Sequence, residues 1–121
     1  MKKISATLLD FARPLTDGLG DDTPIEVRRE TLQLAITLWN CLVLQDCGQG
    51  QHLADLFDRL RGLSVTDTMR MAPLVEELVL LKHTKYRRDL RLVGEWELRD
   101  LGGGELSLRA VAHDPGKKRT A

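Results

Sequence analysis

The architecture turns on 89-DLRLVGEWELRDLGGGELSLRAVAH-113. Upstream, apolar residues recur every three or four positions. Here Leu90, Leu92, Trp96 and Leu98 alternate with Arg91, Val93, Glu95, Glu97 and Arg99, and 105-ELSLRAVAH-113 alternates in the same way. A period of two marks half-buried strands, and the glycine-rich DLGGG between them supplies a turn. The pattern predicts an antiparallel β-hairpin, about 90–99 and 105–113. Cross-strand chemistry suggests its register. Leu98 opposite Leu106 sets Trp96 opposite Leu108 and Gly94 opposite Ala110. On the other face Arg99 then meets Glu105, Glu95 meets Arg109 and Val93 meets Val111. A slip of one residue would mix the two faces. Two strands alone are marginal in water, so the Leu/Trp face is expected to lie on helices, and the small Gly94–Ala110 pair would admit one closely.

The preceding residues read as about four helices. The first starts near Ile4, with Leu8, Phe11, Ala12, Leu15 and Leu19 at helical spacing. Pro14 clashes with the Asp10 carbonyl and removes a donor, which predicts a break near Arg13. The DGLGDD stretch is a loop. The second helix opens at 23-TPIE: Thr23 as cap, Pro24 at the first helical position and Glu26 completing a capping box. It runs to about Cys47. Its second half, LAITLWNCLVL, is apolar on nearly every side, so it is either the central helix of a bundle or the seam of an oligomer. The third helix is HLADLFDRLRG, with Leu53, Leu56, Phe57 and Leu60 in one stripe and Gly62 as C-terminal cap. The fourth covers roughly Asp67 to Arg87, bent or restarted at Pro73. The fold class is α+β: a cluster of about four helices followed by a C-terminal hairpin. Residues 1–113 read as one domain, and 114-DPGKKRTA-121 as a disordered tail.

The 121 residues carry 18 basic and 18 acidic side chains, so no net charge draws the chain toward nucleic acid or an acidic membrane. The distribution is uneven: residues 82–121 hold ten Lys and Arg against six Asp and Glu. That asymmetry fits a basic binding segment, or attraction within one fold or between two copies. Cys41 and Cys47 lie six apart on a helix, about 120° apart around its axis, and cannot bridge there. Free thiols suggest a reducing compartment. MKKISATLL begins like a signal peptide, but Asp10 and Arg13 cut its apolar region short. No apolar run reaches membrane-spanning length. The expected location is the cytoplasm, with no membrane partner.

No catalytic grouping appears. The sequence lacks a G-x-S-x-G elbow, and His52, His83 and His113 belong to no metal or nucleophile motif. The G-x-G pairs in GLGDD and GQGQH follow no strand, and they read as turns. Asp21–Asp22 and Glu76–Glu77 sit near helix starts, where the dipole favours negative charge. No catalytic residue, cofactor or metal is expected. Asn40, beside Trp39 in an apolar helix, is a candidate interior polar site that must find a partner. Lys82, Lys85, Arg87, Arg88 and Arg91 are candidate nucleic-acid contacts. They also suit the negative end of the fourth helix, and only Tyr86 is interleaved as an aromatic. The expected function is a small non-enzymatic protein-interaction or accessory module, homodimeric through an open hairpin edge. The alternative is an accessory nucleic-acid binder.

Overall fold

Ile4, Thr7, Leu8 and Phe11 bury one side of the first helix, and Pro14 ends it as the sequence requires. In the computed structural model, which describes residues 3–20, 22–62, 65–102 and 105–113, α1 (Ile4–Phe11) stops at Ala12 and α2 (Arg13–Thr16) restarts with the proline in its first turn. The expected tail, 114–121, lies outside the described residues.

α3 (Ile25–Asp46) starts one residue later than its capping sequence suggests. Pro24 stays outside the helix, with φ −59° and ψ 149°, so Thr23 is too far away and no side chain caps the end. Arg28 reaches back instead. Its Nη2 donates to the Gly20 carbonyl (2.8 Å) and its Nε to the Thr23 carbonyl (3.3 Å), tying the loop to the helix.

The apolar half of α3 is the centre of the molecule. Trp39, Leu42 and Val43 are fully enclosed, with α1, α2, β1 and two further helices packed around them. Those helices are α4 (Gln51–Arg61) and α5 (Val65–Thr84). Cover for the greasy half-helix therefore comes from within the chain. Phe11 and Tyr86 meet the Trp39 indole edge-on, at centroid separations of 5.2 and 5.7 Å. Edge-to-face rings gain about 0.5–1.5 kcal/mol beyond their burial.

Two helix ends differ from expectation. Gly62 closes α4 in a right-handed conformation, not a left-handed one, whereas Gly48, with φ +87°, takes the left-handed turn between α3 and α4. α5 runs through Pro73 without a break, starts at Val65 and ends at Thr84, leaving Lys85–Arg88 in a turn.

β1 (Leu92–Gly102) and β2 (Glu105–His113) form the hairpin. Its register is two residues from the expected one: Leu98 faces Leu108, Trp96 faces Ala110, Glu97 faces Arg109 and Arg99 faces Ser107. A shift of two keeps every side chain on its predicted face. The physical cause is the turn. The strand continues to Gly102, whose φ of +85° suits a chain reversal, and pairing resumes at Glu105. A second irregularity does change a face. Val93 pairs with Ala112 and Trp96 with Ala110, so Gly94 and Glu95 together oppose Val111 as a β-bulge. The extra residue turns Val93 inward beside Leu98 and Leu108, and all three are buried. Each such side chain contributes about 1.5–3 kcal/mol by leaving water. Leu90 and Leu106, expected on that face, are instead 43% and 37% exposed.

Candidate interaction surface

The basic run does not form one charged surface. Lys82 is wholly enclosed. Its Nζ donates to the Tyr86 carbonyl (2.8 Å), lies 3.8 Å from Asp46 and sits 5.0 Å above the Trp39 ring. Burial pushes its ammonium below the usual lysine range, against the pull of Asp46 and Asp89. Such a lysine cannot meet a phosphate. Arg91 is held by Asp89, with Nε–Oδ1 at 2.9 Å and Nη2–Oδ2 at 2.6 Å, and its Nη2 also donates to Thr7 (3.4 Å). Burial raises the Asp89 carboxyl, but the hydrogen bonds from Arg91 outweigh it and hold that carboxyl below its ordinary range. Lys85 reaches Asp10 at 2.7 Å, and Tyr86 donates its hydroxyl to the same carboxylate. Burial and that bond hold the Tyr86 phenol well above its usual range. Arg87 and Arg88 stay exposed, and neither makes an ion pair among the described residues. Of the five expected cations, two point to water unengaged, one is exposed but paired, and two are tied inside.

Asn40 finds its partner in the hairpin. Its Nδ2 donates to the Val93 carbonyl (3.0 Å) and its Oδ1 accepts the Val93 N–H (2.8 Å). A carboxamide has the donor and acceptor of a peptide group, so Asn40 pairs with Val93 as a neighbouring strand would. One residue earlier, Trp39 Nε1 donates to the Arg91 carbonyl (2.8 Å). At the other end Arg29 Nη2 donates to the Leu98 carbonyl (3.3 Å). Asn40 and Arg29 therefore satisfy β1 backbone groups at Val93 and Leu98, and Trp39 satisfies the Arg91 carbonyl just before the strand. Asn40 is thus partnered within the chain, on the backbone of Val93.

The second tryptophan has a different fate. Trp96 is only half-buried, and its indole N–H makes no hydrogen bond among the described residues. It lines a groove of about 640 Å³ between α3, α4 and β1. Leu34, Leu56 and Leu60 give the groove an apolar floor, and Arg29, Glu30 and Arg59 stand on its rim. Helical spacing places these groups. Residues 30, 33, 34 and 37 share one face of α3, and 56, 59 and 60 share one face of α4. Trp96 also lines a second depression of about 770 Å³ on the hairpin, walled by Glu95, Glu97 and Arg109. Periodicity placed Leu56 and Leu60 on the inner stripe of their helix and Trp96 on the inner face of its strand. It gave no sign that α4 and the hairpin stand apart and leave this face of α3 between them.

Among the described residues, no group of three or more His, Cys, Asp or Glu gathers in a metal-binding arrangement. No helix there is long and apolar enough to cross a membrane. Cys41 is buried and Cys47 exposed, both as free thiols, and burial raises the Cys41 thiol. No family model, curated protein or solved structure matches the chain.

Proposed function

We propose that this chain is a non-catalytic protein-interaction module of the cytoplasm that takes its partner in the groove between α3, α4 and β1. The observation that carries this reading is Trp96: a large aromatic side chain only partly buried where it lines an apolar groove, with no hydrogen bond to its N–H among the described residues. Interface energy concentrates in such groups, with tryptophan and arginine enriched at the positions that matter most, and this groove has both. Two free cysteines support a reducing compartment.

The test is site-specific crosslinking in extract from the source cell. A photoreactive residue replaces Gln33 in the groove, and a control replaces Glu77, exposed on α5. The expected result is a discrete adduct from position 33, none from 77, and loss of the adduct when Trp96→Ala is added. Equal labelling from both positions, or an adduct indifferent to Trp96→Ala, defeats the proposal.

A further inference from the structure

We infer that the partner is a second copy of this chain, docked face to face about a two-fold axis beside Trp96. This rests on the groove being the interaction surface. Trp96 lines two depressions of opposite charge. The groove rim carries two arginines and one glutamate, Arg29, Arg59 and Glu30. The hairpin depression carries two glutamates and one arginine, Glu95, Glu97 and Arg109. A two-fold axis lays each patch of one copy against the other patch of its mate. Two adjacent patches of opposite sign with a shared aromatic between them are therefore complementary to themselves. The chain as a whole is neutral, so no net repulsion opposes the approach.

The free charges identify the contact. Glu97 is held by Arg99 at 3.0 Å, and Arg29 is engaged with the Leu98 carbonyl. Glu30, Arg59, Glu95 and Arg109 are exposed, and none makes an ion pair among the described residues, which leaves one free charge of each sign in each depression; Arg59 and Glu95 carry the excess sign of their own depression. Arg59 of each copy meets Glu95 of the other, and the two Trp96 indoles pack at the axis. The dimer is thus made by the hairpin's Trp96 region and not by extending the sheet from β1, whose backbone is engaged by Asn40 and Arg29.

Sedimentation velocity across micromolar to near-millimolar concentration tests this, using the full chain and charge reversals. The expected result is a concentration-dependent dimer. Arg59→Glu and Glu95→Arg each weaken it tenfold or more, because one reversal acts twice in a two-fold interface. The double variant Arg59→Glu/Glu95→Arg recovers to within a few-fold of wild type. Both positions are exposed, so the pair decides the matter even if Trp96→Ala does not fold. A chain monomeric throughout, or a dimer indifferent to both reversals, overturns the inference. If the chain is monomeric while position 33 crosslinks a different protein, the second copy falls and the groove stands. If it is monomeric and position 33 gives no adduct, both fall.

Discussion

Replacing Asn40 separates the claim that its carboxamide acts as a strand neighbour from the plainer claim that it fills space. Asn40→Leu keeps similar volume but leaves both the N–H and the carbonyl of Val93 without their partner. Val93 is 6% exposed, so water replaces the lost bonds poorly. An orphaned buried backbone group costs about 1–3 kcal/mol. Two of them give a loss of roughly 2–5 kcal/mol, a large part of the ~5–15 kcal/mol available to a small domain. Asn40→Asp is more diagnostic. Its carboxylate still accepts the Val93 N–H, but its second oxygen faces the Val93 carbonyl, acceptor against acceptor. Protonation restores a donor there, so the folded state raises the pKa of the introduced carboxyl. The sign follows from proton binding. Where the folded pKa lies above the unfolded one, stability relative to wild type is best below about pH 4, the ordinary carboxylate value, and is lost as pH rises through the folded pKa. Urea unfolding of Asn40→Asp and wild type, subtracted at each pH, reads this directly. A difference that stays flat from pH 7 to pH 4, or an Asn40→Leu variant as stable as wild type, shows that the carboxamide does not hold β1.

Lys82→Met keeps the volume, removes a charge that burial disfavours, and leaves Asp46 partly in water; its stability should lie within about 1 kcal/mol of wild type, whereas Lys82→Ala opens a cavity and costs about 2–4 kcal/mol in denaturant unfolding. Because the Lys82 pKa is lowered on folding, the unfolded chain binds more protons, and wild type should gain on Lys82→Met as pH rises toward 10.5. Asp89→Asn removes charge-assisted bonds to Arg91 and should cost about 1.5–3 kcal/mol at pH 7; as the Asp89 carboxyl is depressed on folding, that penalty should shrink as pH falls below 3.8 in matched urea titrations. Gly94→Ala would drive a methyl into the His113 ring; thermal melts should show a loss that Gly94→Ala/His113→Ala largely recovers, because the obstacle is one exposed side chain and not backbone. Arg87→Ala/Arg88→Ala tests the nucleic-acid alternative: of the five candidate cations only these two are unengaged among the described residues, so wild type should bind duplex and single-stranded DNA no better than this variant even at low salt, where electrostatic affinity is greatest.

What the sequence revealed depended on how local each signal was. The break at Pro14 follows from one ring and one missing donor, and it lies where expected. The hairpin is written in alternation over runs of ten and nine residues, so its existence was legible. Its register depended on the turn, where adding paired residues at Gly102 moves every partner by two without disturbing either face. The bulge was harder. Strict alternation places Val93 outward, and only the paired geometry shows Gly94 and Glu95 sharing one partner. Lys82 shows the same difficulty. Its charge suggested the surface, yet its position on α5 lies over Trp39, where the aliphatic stem packs and the ammonium finds the Tyr86 carbonyl and the ring. The groove at Trp96 was the least legible, because it is a gap between three elements and no single element carries a gap.

The two tryptophans divide the work of the molecule. Trp39 is surrounded, and with Asn40 it fixes where β1 lies on α3 through backbone groups of Arg91 and Val93. That engagement also protects the hairpin. An unpaired strand edge is a template for another chain, and here α3 bonds β1 at Val93 and Leu98 and the residue before it, Arg91. A partner that added a strand to β1 would first have to displace the Asn40 and Arg29 side chains. What the hairpin still offers on that side is Trp96, partly buried on a strand that Asn40 anchors to α3. Weakening the Asn40 bond should therefore blunt the groove before it unfolds the chain, because the anchor's position depends on the strand and the strand's position depends on that carboxamide.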